Sequence, residues 1–167
     1  YTNLVVKKFN KSLQNKIYMI KSFIKHNNPY MKEIDTTYEL SMDNIAPRII
    51  YYNNSYFVME KMDYTLYDMI KKNIIGINHI EKLIELIKRL NKTQYRHTDL
   101  HFNNVMWSNQ INDFRIIDWG FYIKLKNNKE KNKKYNQKGI VLKEMKYYIE
   151  NKYIKNKKWY NIYNVYM

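Results

Sequence analysis

Residues Tyr95 to Phe121 read YRHTDLHFNNVMWSNQINDFRIIDWGF, and the reading of this stretch decides the fold. It sets Asp99 and Asp118, with His97, His101 and Asn104, on two loops. Val105 to Trp107 reads as a short strand leading out of the first loop, and Phe114 to Ile117 as another leading into the second. Ser108 to Asp113 is the polar turn between them. A lone loop aspartate is ordinarily a turn or cap residue. Here two aspartates and an amide are delivered to the ends of one strand–turn–strand unit, which points to shared chemistry.

Phosphoryl transfer asks little covalent work of a protein. It needs a group that orients or deprotonates the incoming hydroxyl, oxygen ligands for Mg2+, and positive charge on the phosphates. Mg2+ takes hard oxygen donors and keeps several waters, so one or two carboxylates and an amide oxygen suffice. Asp99 suits the first task. Asn104, five residues on, and Asp118, at the end of an apolar strand, suit the second. Gly120 is expected to free the backbone to turn after Asp118.

These residues resemble the protein-kinase-like superfamily. His97-Thr98-Asp99-Leu100-His101-Phe102-Asn103-Asn104 is similar to the catalytic loop H-x-D-L-x-x-x-N, and Asp118-Trp119-Gly120 to the metal motif D-F-G with Trp for Phe. The two motifs stand in family order across a strand–turn–strand. Upstream, Leu4-Val5-Val6-Lys7 resembles V-A-I-K. That implies Lys7 as the lysine on the α/β-phosphates, with Lys8 as fallback, and Glu33 as its ion-pair partner, with Glu39 as alternative. Tyr56 to Met62 resembles the strand and hinge that hold adenine, implying ATP-binding roles for Met59, Glu60 and Met62. Gly139 to Met145 resembles the central helix of the larger lobe.

The resemblance implies an α+β, protein-kinase-like two-lobed fold in minimal form. Residues 1–62 are expected as an N-lobe with a small antiparallel sheet, and residues 63–167 as a reduced helical C-lobe. It further implies ATP and Mg2+ as cofactors, Asp99 and His101 as catalytic, and Asn104 and Asp118 as metal ligands. His97 is read as a packing residue that braces the loop.

The remaining chain is read from its patterns. Thr2 to Phe9 reads as a strand, and Ser12 caps a helix with Leu13, Ile17, Ile20 and Ile24 at helical spacing. Pro29 opens a second helix running to about Asp43, ended by Ile45-Ala46-Pro47. Arg48 to Tyr52 and Ser55 to Glu60 form a hairpin around Asn53-Asn54. Thr65 to Lys72 is a short helix. Asn78 with Glu81 forms a capping box for a helix whose stripe is Ile77, Ile80, Ile84, Ile87 and Leu90. His26 and His79 are read as surface residues, Lys124 to Lys134 as a basic loop, Gly139 to Ile149 as a helix, and Asn151 onward as a Tyr/Lys/Trp-rich tail.

The bulk numbers set limits. With 167 residues, 45% of them hydrophobic, the chain has the means to bury a core. It has no cysteine, hence no disulfide framework and no thiolate metal site. No apolar run approaches the ~20 residues of a membrane span, so an intracellular, cytoplasmic chain without membrane association is expected. The net charge of +15 is carried mostly by lysine scattered among Asn, Ile and Tyr. It reads as a solvated coat, partly set by an A+T-rich genome, or as attraction to an acidic partner or nucleic acid. The chain opens on Tyr1 rather than Met, so an N-terminus that is either missing or processed is expected.

Departures from the family shape the functional expectation. Glycine occurs only at Gly76, Gly120 and Gly139, so no glycine-rich phosphate loop is present. Thr98 replaces the usual arginine, His101 the usual lysine, and no A-P-E follows Asp118. Such features resemble reduced atypical or large-DNA-virus serine/threonine kinases. The expected function is ATP/Mg2+-dependent transfer to a Ser or Thr hydroxyl of a protein substrate. The alternatives are an aminoglycoside/choline-type small-molecule phosphotransferase and a pseudokinase that binds or scaffolds.

Overall fold

A computed structural model describes residues 3–9, 29–53 and 55–125. The expected helix after Ser12, His26, the basic stretch beyond Leu125, the helix at Gly139 and the tail lie outside these residues. The described part is an α+β structure of three helices and three small antiparallel sheets.

The first sheet has the order β1 (Leu4–Lys8), β3 (Tyr56–Glu60), β2 (Ile49–Tyr52). Its β-branched and aromatic residues suit a pleated surface. The β2–β3 hairpin is closed by Asn53, whose side-chain oxygen accepts from Ser55 N–H at 2.8 Å and Tyr56 N–H at 3.1 Å. Lys7 pairs with Phe57, which is buried, so Lys7 faces the inner side of the sheet. That side packs on α1 (Pro29–Met42) through Ile34, Ile49, Phe57 and Phe9. Asn44, with φ 55°, turns the chain out of α1, and the N–H of Ile45 donates to Leu40 O at 2.9 Å.

The larger core lies below. β4 (Tyr64–Thr65) pairs with β6 (Val105–Ser108), and β6 with β7 (Asp113–Ile116), with Trp107 opposite Phe114. Thr65 caps α2 (Leu66–Lys71) in a reciprocal capping box with Asp68. α3 (Ile77–Lys92) packs on β7.

Two expectations for α3 are corrected. Its cap is not Asn78 with Glu81: the helix starts at Ile77, and Gly76 N–H donates to the His79 ring at 2.9 Å. His79 is therefore no plain surface residue, and its ring stands edge-on to Trp107 at 4.5 Å. The buried stripe is Ile80, Leu83, Leu86, Ile87 and Leu90, whereas Ile77 is 47% exposed and Ile84 half-buried. A 3.6-residue period admits neighbouring stripes, and the sheet selects the one through Leu83 and Leu86.

One further ribbon was not foreseen from sequence. β5 (Tyr95–His97) pairs antiparallel with β8 (Tyr122–Lys124), His97 opposite Tyr122 and Tyr95 opposite Lys124. It joins the strand entering the first loop to the strand leaving the second. The described residues hold fourteen basic and twelve acidic side chains, so nearly all of the +15 resides elsewhere in the sequence. Among the described residues no helix is long and apolar enough to cross a membrane.

Candidate active site

The two loops are stitched to each other by hydrogen bonds. Asp99 N–H donates to His97 Nδ1 at 3.2 Å, so the neutral ring carries its proton on Nε2, which donates to Ile117 O at 3.0 Å. Ile117 N–H donates to Asn104 O at 2.9 Å, and Thr98 N–H to Phe121 O at 3.2 Å. Burial pulls the His97 pKa below the ordinary histidine value; the Ile117 carbonyl and the charges of Asp118 and Asp99 oppose this only in part. His97 thus braces the loop as a neutral ring.

Asn104 is buried. Its Nδ2 donates to Asp99 O at 2.9 Å, which leaves Oδ1 without a hydrogen bond among the described residues. His101 Nδ1 accepts from Asn103 N–H at 3.2 Å, and its Nε2 lies 3.6 Å from Asp99 Oδ2 and 3.2 Å from Asn104 Nδ2. Both ring nitrogens thus lie against N–H donors, with the Asp99 carboxylate beside Nε2 at ion-pair distance. The Asp99 carboxylate itself is 64% exposed and open to an incoming group.

At the second loop the strained position is Asp118, with φ 64°, while no glycine among the described residues has positive φ. The expectation that Gly120 carries the turn is thereby corrected. Aspartate tolerates the left-handed region better than most residues. What Gly120 leaves is room: a β-carbon there would touch Glu33 Oε2 at 3.5 Å. Trp119 is fully buried, donates from Nε1 to Ile116 O at 2.9 Å, and stands edge-on to His97 at 4.8 Å.

Above the loops, Lys7 Nζ lies 2.5 Å from Glu33 Oε1 and 2.5 Å from Asp118 Oδ1. These residues are 26 and 111 positions from Lys7 in sequence. Burial alone would lower the Lys7 pKa. The Glu33 charge, with the hydrogen bonds to Asp118 and Glu33, outweighs it and holds the ammonium above its ordinary value. Lys8 is exposed and not used. Glu39 points elsewhere and accepts from the Tyr95 hydroxyl.

Lys7, Glu33, Met59, Asn104 and Asp118 line one cleft of about 230 Å³, with Thr37, Phe57 and Ile117. Asp99 and His101 adjoin Asn104 but do not line it, nor do Glu60 and Met62. The Glu60 side chain reaches toward Arg115, at 3.8 Å, and its backbone N–H donates to Arg48 O at 3.0 Å. Met62 follows β3, and neither its N–H nor its C=O is hydrogen-bonded among the described residues.

The donor set fits a magnesium ion. Among the described residues no three His, Cys, Asp or Glu side chains gather as a metal cage. The unengaged Asn104 Oδ1 and the exposed Asp118 carboxylate are hard oxygen donors that line the same cleft. Such a sparse set suits an ion that keeps waters and phosphate oxygens in its shell.

Sequence reasoning missed three supporting residues. Thr37 donates to Glu33 O at 2.7 Å, one turn along α1. Tyr95 anchors Glu39. Arg96, 1% exposed, donates to the carbonyls of Leu90 (3.3 Å), Asn91 (3.3 Å), Thr93 (3.1 Å) and Tyr95 (2.5 Å), gripping the end of α3. The signal for Arg96 was an arginine inside a short strand next to a helix C-terminus, where cations are favoured.

Compared with protein-family models the chain matches none, and a search of curated proteins finds no significant match.

Proposed function

We propose that this chain is a phosphotransferase of protein-kinase-like, two-lobed fold, moving the γ-phosphate of ATP to a Ser or Thr hydroxyl of a protein in the presence of Mg2+. The single observation that carries the reading is the Lys7–Glu33–Asp118 triad at 2.5 Å. A solvent-facing strand lysine has no need of two carboxylates drawn from a helix and from a distant loop. A lysine held rigidly above its ordinary pKa stays cationic for phosphate oxygens.

The remaining roles follow from position. Met62, beyond the cleft lining, would offer its unengaged backbone N–H and C=O groups to the edge of a purine, and Met59 lines the cleft together with Lys7. Asn104 Oδ1 and Asp118 would hold Mg2+, which when bound would neutralise charge that develops on the phosphates. Asp99, exposed and fixed through its backbone to His97 and Asn104, orients the acceptor hydroxyl and takes its proton. The hydroxyl oxygen bonds to the γ-phosphorus as the bond from that phosphorus to the ADP oxygen breaks. His101, beside Asp99 and in contact with Asn103 and Asn104, braces the loop that carries both side chains.

The test is incubation of the full chain with Mg2+ and γ-labelled ATP against a panel of acidic and basic proteins. Label on protein that vanishes in Asp118→Ala supports the reading; no transfer by the folded chain counts against it. A second reading draws on Asp118-Trp119-Gly120 and the lack of an A-P-E after it: the same transfer to a small hydroxylated molecule. A metabolite and aminoglycoside screen with the same label separates the two.

A further inference from the structure

α1 touches more than the cleft. Lys32 and Glu39 are seven residues apart, two turns, and so share one face of the helix, about 10 Å apart along its axis. Glu33 lies about 100° round from Lys32, on the face toward Lys7. The Lys32 ammonium sits 4.8 Å from the centre of the Tyr122 ring, and the Glu39 carboxylate accepts from the Tyr95 hydroxyl. Tyr95 and Tyr122 are diagonal neighbours on the β5–β8 ribbon, their rings edge to face at 5.4 Å. Lys124, opposite Tyr95, places its ammonium 5.0 Å from the Tyr95 ring centre. One face of α1 is thus bridged at two points to two tyrosines that touch each other on one two-stranded ribbon.

That ribbon is the structural link between the two loops. β5 ends two residues before Asp99, and β8 begins four residues after Asp118. Neither Tyr95 nor Glu39 lines the cleft at Lys7; both border a separate cavity of about 490 Å³ with Asp43, Arg89 and Lys92.

We infer that Tyr95 and Tyr122 are positioning residues: through Glu39 and Lys32 they fix α1 against the ribbon and thereby set the Lys7–Glu33 pair in register with Asp99 and Asp118. The inference deepens the phosphotransferase reading and rests on it for its functional meaning. Its structural content is independent, because it concerns the state of Lys7. The chain thus carries a fastening of α1 made of two tyrosines.

The experiment is competitive acetylation of the full chain, with Lys7 modification read by mass spectrometry, in Tyr95→Phe, Glu39→Ala and Tyr122→Leu. Asp35→Asn, at an exposed position of α1, is the control. Loosening α1 unpairs Lys7, so its acetylation rate rises several-fold in Tyr95→Phe and Glu39→Ala, and rises likewise in Tyr122→Leu, which removes the ring beside the Lys32 ammonium. The Tyr95→Phe/Glu39→Ala double variant rises no further than either single one, because both delete the same bond. The control leaves the rate unchanged. Phosphoryl transfer falls about tenfold in kcat, the expected scale for a lost hydrogen bond to a charged group, while the denaturation midpoint moves little. Should Tyr95→Phe not fold, Glu39→Ala carries the measurement. Unchanged Lys7 acetylation in a folded Glu39→Ala chain overturns the inference, as does an equal rise in the control. A rise at Lys7 in a chain that transfers no phosphate upholds the positioning role and refutes the phosphotransferase reading.

Discussion

The His97 ring stands edge-on to Trp119 at 4.8 Å, tying the residue two before Asp99 to the residue just after Asp118. Each ring is also hydrogen-bonded to β7 or its continuation, His97 through Ile117 O and Trp119 through Ile116 O. The two loops therefore do not rest on each other by surface contact alone. They share one buried aromatic pair anchored to a common strand, so displacement of one loop disturbs the other.

This pairing makes the fold sensitive to acid. The pKa of His97 is below the ordinary histidine value in the folded chain because the ring is buried. In the unfolded chain it titrates near 6.5. Above that pH neither state binds the proton and no stability is lost. As pH falls below it the unfolded chain takes up a proton first, so stability decreases until the folded ring protonates as well. His79, also lowered by burial, adds the same sign. Urea denaturation at neutral pH and at about pH 5 is expected to show a loss of stability that is reduced in His97→Gln. An identical loss in that variant would show that His97 is not the titrating group.

Much of this architecture was legible in the sequence, and the parts that were not have physical causes. Strands β1, β2, β3, β6 and β7 and helix α1 announce themselves through β-branched runs, Asn-rich turns and Pro29. Lys7 was placed beside Glu33 by resemblance alone, and the geometry pairs them. The β5–β8 ribbon was not legible, because three-residue strands have no period to read and their pairing spans a separation set by tertiary structure. The start of α3 was misread because Gly76 and His79 form a cap that no Ser/Thr/Asp/Asn pattern reports. Gly120 drew attention as a turn residue, yet Asp118 holds the left-handed backbone. The charge is unevenly placed along the sequence: the described residues are nearly balanced, and the excess lies elsewhere.

The left-handed backbone at Asp118 separates two ways of removing its carboxylate. Asparagine visits that region readily, whereas alanine pays roughly 1 kcal/mol for its β-carbon there. Both variants remove the negative charge from Lys7, and both are expected to abolish transfer. Asp118→Asn is expected to remain about 1 kcal/mol more stable than Asp118→Ala by chemical denaturation. Equal stabilities would show that the residue relaxes out of the left-handed region once its ion pair is gone.

Arg96 governs stability at a distance from the cleft. Its guanidinium, itself buried, serves four carbonyls at the end of α3 and the start of β5. In Arg96→Met those acceptors lose their donor, at a cost of roughly 2–3 kcal/mol. Arg96→Lys retains the charge but not the planar fork, and is expected to recover only part of this. Urea titrations of the three proteins decide the matter, and a loss below about 0.5 kcal/mol in Arg96→Met would place the stabilisation elsewhere.

Lys7 is where stability and function are expected to part. Its side chain is about one-third exposed and Asp118 is exposed, so solvent screens that pair, whereas Glu33 is buried. In Lys7→Met the methylene stem still covers Phe57 across the sheet, while Glu33 is left without its cation. The fold is expected to lose roughly 1–3 kcal/mol, the scale of one unsatisfied buried group. Transfer depends on positive charge at the phosphates, and removal of one such group typically costs about 100-fold or more. The expected result is a chain that still folds, with a lowered denaturation midpoint and transfer reduced by at least that factor. Loss of folding in Lys7→Met would make the triad a structural ion pair, and undiminished transfer would remove Lys7 from the chemistry.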